Sequence, residues 1–302
     1  MRWIMKKPLT LMTYILTLSI FFMTLSEAQA GIRQYSADIH NSKWQLSIDS
    51  RLECTLSHQI PHYGEARFYA KADRQLNMSF ELDMMLLPDN YSLAEIRSIA
   101  PNWRPGIGSR TLAKMKLYKH FNPSLPKKVA WTMLSELEQG MSPTFYYNDW
   151  YSEEDKISVG LSTTRFKKAY QNFVACVGNL LNYSFDDISY TVLNYKSNSD
   201  QFTKASKKRI DMIREYLSLD ANLALILIDA YSDSFGGRSQ NQTLSERRAD
   251  KVRNYFVENG IEAYRIEAKS HGEKHHVASN ATDLGRSQNR RVIIQMLKAE
   301  TP

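Results

Sequence analysis

The sequence predicts an α+β protein in two parts, and three stretches carry this prediction. Residues 76–84 alternate strictly between apolar and polar, which is the period of a strand buried on one face. Residues 223–230 form a nearly continuous apolar run, as in a strand covered on both faces. Residues 245–259 follow with a helical pattern. We therefore expect an N-terminal β-rich barrel or sandwich with one or two helices, and a C-terminal βαβαββ mixed sheet with helices packed on it.

The N-terminal domain is expected to span residues 31–183. Its clearest strand places Leu76, Met78, Phe80, Leu82 and Met84 on one face. Three further strands are predicted at residues 44–48, 65–70 and 114–118, separated by turn-forming residues. Two helices are predicted, one over residues 127–139 between Pro126 and Gly140, and one over residues 166–181.

The C-terminal domain is expected to span residues 184–302. Its predicted strands are residues 188–193, 223–230, 264–269 and 292–297, and its predicted helices are residues 203–217 and 245–259. We expect Ser245 to be the N-cap of the last helix and Gly260 to follow its end, because these residue types favour those positions. The linker near residues 185–187 is short.

The first thirty residues have the pattern of a secretory signal peptide. Arg2, Lys6 and Lys7 precede an apolar stretch at residues 9–25, and Ala28-Gln29-Ala30 matches a cleavage site. The mature chain is then expected to begin at Gly31 and to be located in the periplasm. The alternative is an uncleaved membrane anchor. A lipoprotein anchor is not expected, because no cysteine lies near the cleavage site.

Charge and cysteine content fit an exported protein. The chain of 302 residues has a net charge of +7, which is mild, and export makes nucleic acid an unexpected partner. The two cysteines, Cys54 and Cys176, are expected to form a disulfide in an oxidising compartment, with two buried free thiols as the alternative.

A candidate binding site follows the apolar run at residues 223–230. Asp233 comes just after this run, Gly236 and Gly237 form a turn, and Arg248 lies in the first turn of the predicted helix. A carboxylate and a guanidinium at one end of a sheet could hold a free amino acid by its ammonium and its carboxylate. The alternative is that Arg248 is a solvated arginine on an exposed turn.

This stretch resembles the OmpA-like family of peptidoglycan-binding domains. The resemblance rests on Asp233, Asn241, Leu244, Ser245, Arg248, Ala249 and Val252, on the turn at His271-Gly272-Glu273, and on Asn289-Arg290-Arg291-Val292. It implies that Asp233 and Arg248 hold the diaminopimelate of the peptidoglycan stem peptide. It also suggests that Asn241 and Asn198 either add hydrogen bonds near the mouth of the site or shape its loop. Asn289 and Arg290 either line the site or brace its loop. His275 to Ala278 depart from the family pattern, which commonly has proline there.

Nearly the whole mature chain resembles the MotY family of periplasmic accessory proteins of sodium-driven flagellar motors. The similar stretches are residues 103–106, 134–138, 143–150, 180–187 and 202–209, and the resemblance includes both cysteine positions. It implies that the N-terminal domain forms a ring around the flagellar basal body together with MotX. The C-terminal domain would bind peptidoglycan, and the ring would help to recruit and hold the PomA–PomB stator.

Other functions have less support in the sequence. An enzyme is not expected, because the chain has neither a G-x-S-x-G nor an H-E-x-x-H motif, and no cofactor is implied. His271, His275 and His276 could be interpreted as metal ligands, although solvated loop histidines are the simpler interpretation. A general cell-wall anchor without a flagellar role remains the main alternative.

Overall fold

A computed structural model describes residues 31–101, 103–152, 155–196, 199–220 and 223–298. The predicted signal peptide, residues 1–30, and the predicted site residue Asn198 lie outside these ranges. Within them, no helix has both the length and the apolar character needed to cross a membrane.

The described residues form both strands and helices, with the following bounds. Its strands are β1 (Ile32–Ser36), β2 (Trp44–Asp49), β3 (Glu53–Ile60), β4 (Gly64–Lys71), β5 (Asn77–Met84), β6 (Ser92–Ile99), β7 (Arg110–Leu117), β8 (Ser124–Leu125), β9 (Ser142–Asn148), β10 (Lys156–Gly160), β11 (Tyr190–Asn194), β12 (Leu223–Ala230), β13 (Ile266–Ser270) and β14 (Arg291–Lys298). Its helices are α1 (Lys127–Glu138), α2 (Phe166–Gly178), α3 (Phe185–Ile188), α4 (Lys204–Leu217), α5 (Arg238–Glu258) and α6 (Asp283–Asn289), with a 3₁₀ turn at Ala263–Arg265.

The N-terminal part is a pair of open sheets that share one hydrophobic core. One sheet has the strand order β1-β10-β9-β6-β7 and the other has the order β2-β3-β4-β5-β8. Phe80 of β5 stacks on Phe145 of β9 with their ring centroids 5.5 Å apart, so the two sheets meet face to face. The sandwich is therefore confirmed. The alternative of a closed barrel is wrong, because the terminal strands of each sheet do not pair with one another in the described chain.

Apolar periodicity located four of the ten described N-terminal strands, namely β2, β4, β5 and β7, together with both helices α1 and α2. Every second residue of β5 is buried, from Met78 to Met84, as the alternation predicts. Leu76 lies just before the strand and is 40% exposed. Helix α1 follows Pro126 and buries Ala130, Met133, Leu134 and Leu137, which is the predicted apolar face. Each of these elements buries one face, because its apolar residues recur with the period of a strand or of a helix.

The predicted disulfide is present. Cys54 on β3 is bonded to Cys176 on α2, and the two residues are 122 positions apart in sequence. Both side chains are buried in the N-terminal core. The bond fixes the end of α2 to a central strand, so it joins the beginning of the N-terminal core to its end.

The C-terminal part is a four-stranded mixed sheet with two long helices. The strand order is β11-β14-β12-β13, in which β12 pairs parallel to β13 and antiparallel to β14. Helices α4 and α5 pack on the sheet and are linked to each other by a hydrogen bond from the Tyr255 hydroxyl to Asp211, 3.0 Å long. The predicted order of the main elements is confirmed. The structure adds two short helices, α3 before β11 and α6 before β14.

The pairing of the strands shows which residues lie at each end of this sheet. Asn194 at the end of β11 is opposite Arg291 at the start of β14, and Ala230 at the end of β12 is opposite Val292. The polar loops that follow β11 and β12 therefore meet at one end. The chain enters the sheet from the N-terminal part at Tyr190, which is opposite Gln295 nearer the other end.

The two parts are in direct contact at that second end. Leu52 and Ala72 of the N-terminal part pack against the C-terminal core. The Arg51 guanidinium lies 2.5 Å from Glu215 on α4, and Arg74 lies 2.6 Å from Asp187 on α3. Apolar contacts and ion pairs thus hold the two parts together.

The first testable consequence concerns the disulfide. Replacing both cysteines, Cys54→Ala with Cys176→Ala, is expected to lower the unfolding free energy by up to about 4–5 kcal/mol, because the unfolded chain loses a cross-link that closes a long loop. Urea unfolding of the mature chain measures this change. The reduced wild type is the control and should match the double variant. A loss below about 1 kcal/mol in both would contradict a stabilising role.

The second consequence concerns a buried histidine, His58, in β3. Its ring stacks on Trp44 at 4.4 Å, its Nε2 accepts the Ser162 N–H at 3.3 Å, and its Nδ1 therefore donates to the Lys43 carbonyl at 3.0 Å. Burial lowers the pKa of His58 from 6.5 to about 4. The folded protein thus keeps this ring neutral over a pH range in which the unfolded chain protonates it.

Stability is therefore expected to fall as the pH drops through this range. Between pH 6.5 and about 4, His58 binds a proton in the unfolded state but not in the folded state. Its contribution to the unfolding free energy is therefore fully present above pH 6.5 and decreases below it. The total decrease is roughly 3 kcal/mol at most. Urea unfolding at pH 7.5 and pH 4.5 checks this expectation. His58→Gln should show a smaller loss between the two values, and an equal loss would contradict the assignment.

Candidate functional site

The candidate site lies where β11 and β12 end and β14 begins. Asp233 follows β12 in a loop, and Arg248 projects from α5. Helix α5 begins at Arg238, with Gly237 as its N-cap, and not at Ser245 as predicted. Arg248 is therefore well inside the helix, and its predicted position in the first turn is wrong. The helix ends where predicted, with Gly260 at a φ of +91° just beyond it.

The helix start was predicted wrongly because the first part of the buried face of α5 is polar. The residues that α5 buries are Asn241, Ser245, Arg248, Ala249, Val252 and Phe256. Their spacing is that of one helix face, but the first three are polar. A search for apolar periodicity therefore detects only the second half of the helix.

Arg248 is fully buried and is held by backbone carbonyl groups. Its Nη2 donates to the Ser199 carbonyl at 2.8 Å, its Nε donates to the same oxygen at 3.3 Å, and its Nη1 donates to the Tyr231 carbonyl at 3.2 Å. The guanidinium carbon lies 4.6 Å from the ring centroid of Tyr195. Burial, with a smaller contribution from the nearby charge of Arg290, lowers the pKa of Arg248 to about 10. Arg248 thus remains charged at neutral pH.

Asp233 is paired with a second arginine of the predicted set. Its Oδ2 accepts a hydrogen bond from Nη1 of Arg290 at 2.7 Å, and its Oδ1 accepts the Phe235 N–H at 3.2 Å. The side chains of Asp233 and Arg290 are 11% and 12% exposed. Asp233 also lies close enough to Arg248 to favour its charged form. The structure therefore brings Asp233, Arg248 and Arg290 into one half-enclosed cluster.

The two described asparagines of the predicted set lie beside this cluster. Asn241 is buried on α5 and donates to Glu273 at 3.1 Å. Asn289 is fully buried and accepts the N–H groups of Val277 and Ala278 at 2.9 and 3.1 Å, while its own amide donates to the Ala278 carbonyl. These contacts favour the interpretation that Asn289 braces the loop.

Ser245 has a different role from the predicted one. Its hydroxyl accepts the Gly272 N–H at 3.0 Å and donates to the Gln242 carbonyl at 2.8 Å. Gly272 has a φ of +58°, and a side chain there would crowd Gln242. Ser245 therefore attaches the predicted Gly-Glu turn to α5.

Sequence reasoning missed three contributors to the site. Tyr195 provides the ring beneath Arg248, and Ser199 and Tyr231 provide its carbonyl partners. The carbonyl groups carry no sequence signature, and Tyr195 follows β11 without a motif. The histidines lie nearby: His271 is 2.7 Å from Asp229 and stacks on Tyr231. Among the described residues, no group of three or more potential metal ligands comes together.

Comparison with known proteins gives a clear family assignment. The MotY N-terminal domain family matches residues 35–182, and the OmpA family matches residues 194–290. The chain is 38% identical to the sodium-type flagellar protein MotY of Vibrio parahaemolyticus over 285 residues, which cover 94% of this chain and 97% of that protein. The chain belongs to the MotY family.

Two further similarities each cover about a third of the chain. It is 36% identical to the outer-membrane lipoprotein YfiB of Pseudomonas aeruginosa over 100 residues, which are 33% of this chain and 59% of the lipoprotein. The peptidoglycan-associated lipoprotein from Burkholderia pseudomallei is 24% identical with a TM-score of 0.33, and the match covers 35% of this chain and 89% of that structure. The candidate site of this MotY family member lies within the residues that match the OmpA family.

A glycine beneath the site loop gives a third testable consequence. A side chain at Gly285 in α6 would overlap the Ser279 carbonyl oxygen, whereas a side chain at Gly178 in α2 would meet open space. Gly285→Ala is therefore expected to lower the unfolding free energy by about 1–3 kcal/mol, because the loop braced by Asn289 must move. Gly178→Ala is the control, with an expected change within about 0.5 kcal/mol or a small gain. Equal effects of the two variants in urea unfolding would contradict this packing argument.

Proposed function

We propose that the protein is a non-catalytic periplasmic component of the sodium-driven flagellar motor that binds peptidoglycan through residues 184–302. The observation that carries the binding proposal is the cluster of Asp233, Arg248 and Arg290, three charged groups that share one end of the sheet. Charged groups that are this buried need charged or strongly polar partners. A diaminopimelate side chain, which carries an ammonium and a carboxylate, has the matching chemistry.

In the proposed complex, Asp233 accepts the diaminopimelate ammonium and Arg248 donates to its carboxylate. An ionised carboxylate has about four acceptor positions, and the described contacts of Asp233 use one on each oxygen. A guanidinium has five N–H donors, and three of those of Arg248 are engaged with carbonyl groups of the described chain. Each group therefore has hydrogen-bonding positions that no described contact uses. Asn241 and Asn198 are proposed to add hydrogen bonds at the mouth of the site.

The carbonyl contacts of Arg248 fix the guanidinium before any ligand arrives. Its orientation is set by Ser199, Tyr231 and the Tyr195 ring, so little side-chain entropy is lost on binding. Each charge-assisted hydrogen bond of such a pair contributes about 1.5–3 kcal/mol. A single non-covalent clamp of this kind suits a reversible tether to the cell wall.

The motor role is proposed from the N-terminal half. Similarity to the Vibrio flagellar protein extends over 94% of the chain, which a shared OmpA-family region alone would not give. We assign residues 31–183 to a ring around the basal body formed with MotX. Through this ring, the protein would help to recruit and hold the PomA–PomB stator, while residues 184–302 hold the wall.

A general cell-wall anchor is the second candidate, because the C-terminal part matches envelope lipoproteins as well. Deletion of the coding sequence separates the two. Loss of swimming in cells that retain their filament supports the motor role. Envelope blebbing or detergent sensitivity with normal swimming would support the anchor.

The fourth testable consequence concerns wall binding itself. Arg248→Ala in the mature chain is expected to weaken binding to diaminopimelate-type sacculi at least tenfold, since one charge-assisted contact is lost. Co-sedimentation measures the binding, and circular dichroism checks that each variant is folded. Arg247→Ala removes an exposed arginine from the neighbouring position of α5 and should bind like the wild type. Equal binding of folded Arg248→Ala would exclude the clamp.

A further inference from the structure

The first strand of the N-terminal part, β1, begins next to the predicted cleavage site of the signal peptide. Residues 28–30 match such a site, so the mature chain is expected to start at Gly31, one residue before β1. Chain ends are commonly poorly ordered unless specific contacts hold them. Strand β1 lies at the edge of its sheet, pairs in parallel with β10, and exposes four of its five side chains. Its attachment therefore depends more on polar contacts than on apolar burial.

Gly31 is held by two consecutive residues of the neighbouring chain segment. Its carbonyl accepts the N–H of Lys156 at 3.0 Å, and its nitrogen lies 3.2 Å from Oδ1 of Asp155. A Cβ atom at position 31 would lie 3.2 Å from the same oxygen, which is a tight contact for a side chain. Glycine at this position therefore lets the backbone nitrogen reach the carboxylate without crowding.

The carboxylates beside Gly31 outnumber the cations that pair with them. Asp149 and Asp155 flank the loop between β9 and β10, and among the described residues Arg33 of β1 is the cation that pairs with both. Arg33 is in direct contact with Asp149, whose side chain is 5% exposed, but lies 3.5 Å from Oδ2 of Asp155. These three charges sum to one negative charge. Asp155 therefore has capacity for a second cation at Oδ1, the oxygen that faces Gly31.

Hydrolysis of the bond between Ala30 and Gly31 creates a cation at this position. A signal peptidase adds the hydroxyl of water to the Ala30 carbonyl carbon and its hydrogen to the Gly31 nitrogen, which then takes a proton from the solvent. We propose that Asp155 is the capture site for the α-ammonium that this cleavage creates on Gly31, and that the captured ammonium fixes β1 to its sheet. The four charges of Gly31, Arg33, Asp149 and Asp155 then sum to zero.

The processed chain and its precursor differ at one nitrogen atom. In the precursor, the Gly31 nitrogen is an uncharged amide with a single N–H, which can donate to Asp155 but leaves the excess negative charge in place. An ammonium has three donors and a full charge, and hydrogen bonds between charged partners are roughly twice as strong as neutral ones. Strand β1 is thus held more firmly after cleavage, so completion of this sheet edge follows release of the signal peptide.

The test compares three forms of the chain by hydrogen exchange. The first begins at Gly31 with a free amino group, the second carries an acetyl group on Gly31, and the third retains residues 28–30 before it. We expect the β1 amides that pair with β10 to exchange at least about threefold faster in the second and third forms than in the first, a factor within the range that partly exposed ion pairs give.

The pKa of the Gly31 amino group reports the capture directly. A carboxylate within about 4–6 Å favours the charged amine, so the acid dissociation constant is expected to fall at least about threefold, which raises the pKa above its ordinary value of about 7.7. Titration of the Gly31 signal by NMR, in a chain labelled with ¹³C-glycine, measures this pKa. The charged or titratable groups described around this edge are those of Arg33, His62, Asp149, Asp155 and Lys156.

Asp155→Asn separates capture from a general effect of a charged chain end. In this variant the pKa of the Gly31 amino group should return to its ordinary value, and acetylation should change the exchange of β1 by less than about twofold. Asp89→Asn is the matched control, because it removes an exposed carboxylate from another loop of the same domain and should behave like the wild type. Circular dichroism checks that both variants are folded.

Three results would overturn the proposal. The first is N-terminal sequencing of the protein recovered from cells that finds a first residue other than Gly31. The second is an ordinary pKa of the Gly31 amino group in the wild type, which would exclude capture by Asp155. The third is equal exchange of β1 in the free and acetylated forms, which would exclude a role of the ammonium in fixing the strand.

Discussion

The buried guanidinium of Arg248 is the interaction on which the candidate-site end of the C-terminal sheet depends. It joins three separate chain segments: the loop after β11 through Ser199, the loop after β12 through Tyr231, and helix α5 that carries it. Each bond is to a carbonyl oxygen, so the charge is solvated by backbone dipoles where water is excluded. A lysine could not reproduce this arrangement, because it lacks the planar fork that reaches two carbonyl groups at once.

The rest of this end is arranged around that fixed charge. Asn289 braces the loop from Val277 to Asn280, and the Ser245 hydroxyl attaches the turn at Gly272 to α5. Arg290 follows directly after Asn289, so bracing the loop also places the guanidinium that meets Asp233. The polar residues of the sequence motif thus fall into two groups, those that hold the loops and those that face the cluster.

The sequence predicted the parts of the fold in which apolar period determines structure. Strand β5, strand β12 and helix α1 were located by their apolar patterns. The start of α5 was missed because Asn241, Ser245 and Arg248 are polar residues on a buried face. Helix α6 was missed because its position depends on Gly285 fitting against the Ser279 carbonyl, a contact between segments that periodicity cannot reveal. Asp233 and Arg248 were found from their residue types after a strand and from family resemblance, whereas Tyr195 was found only from the structure.

The candidate site and the contact with the N-terminal part lie at opposite ends of the C-terminal sheet, and this placement has a mechanical consequence. If residues 184–302 hold the wall as proposed, tension between the wall and the N-terminal part enters through the loops after β11 and β12 and leaves near Tyr190 and the Arg51–Glu215 pair. This direction runs along the strands of the sheet. Hydrogen bonds between antiparallel strands are perpendicular to the strands, so such a load is shared by all bonds of a ladder at once. The sheet is thus oriented to resist pulling in shear, the geometry in which ladder bonds must rupture together and not one by one.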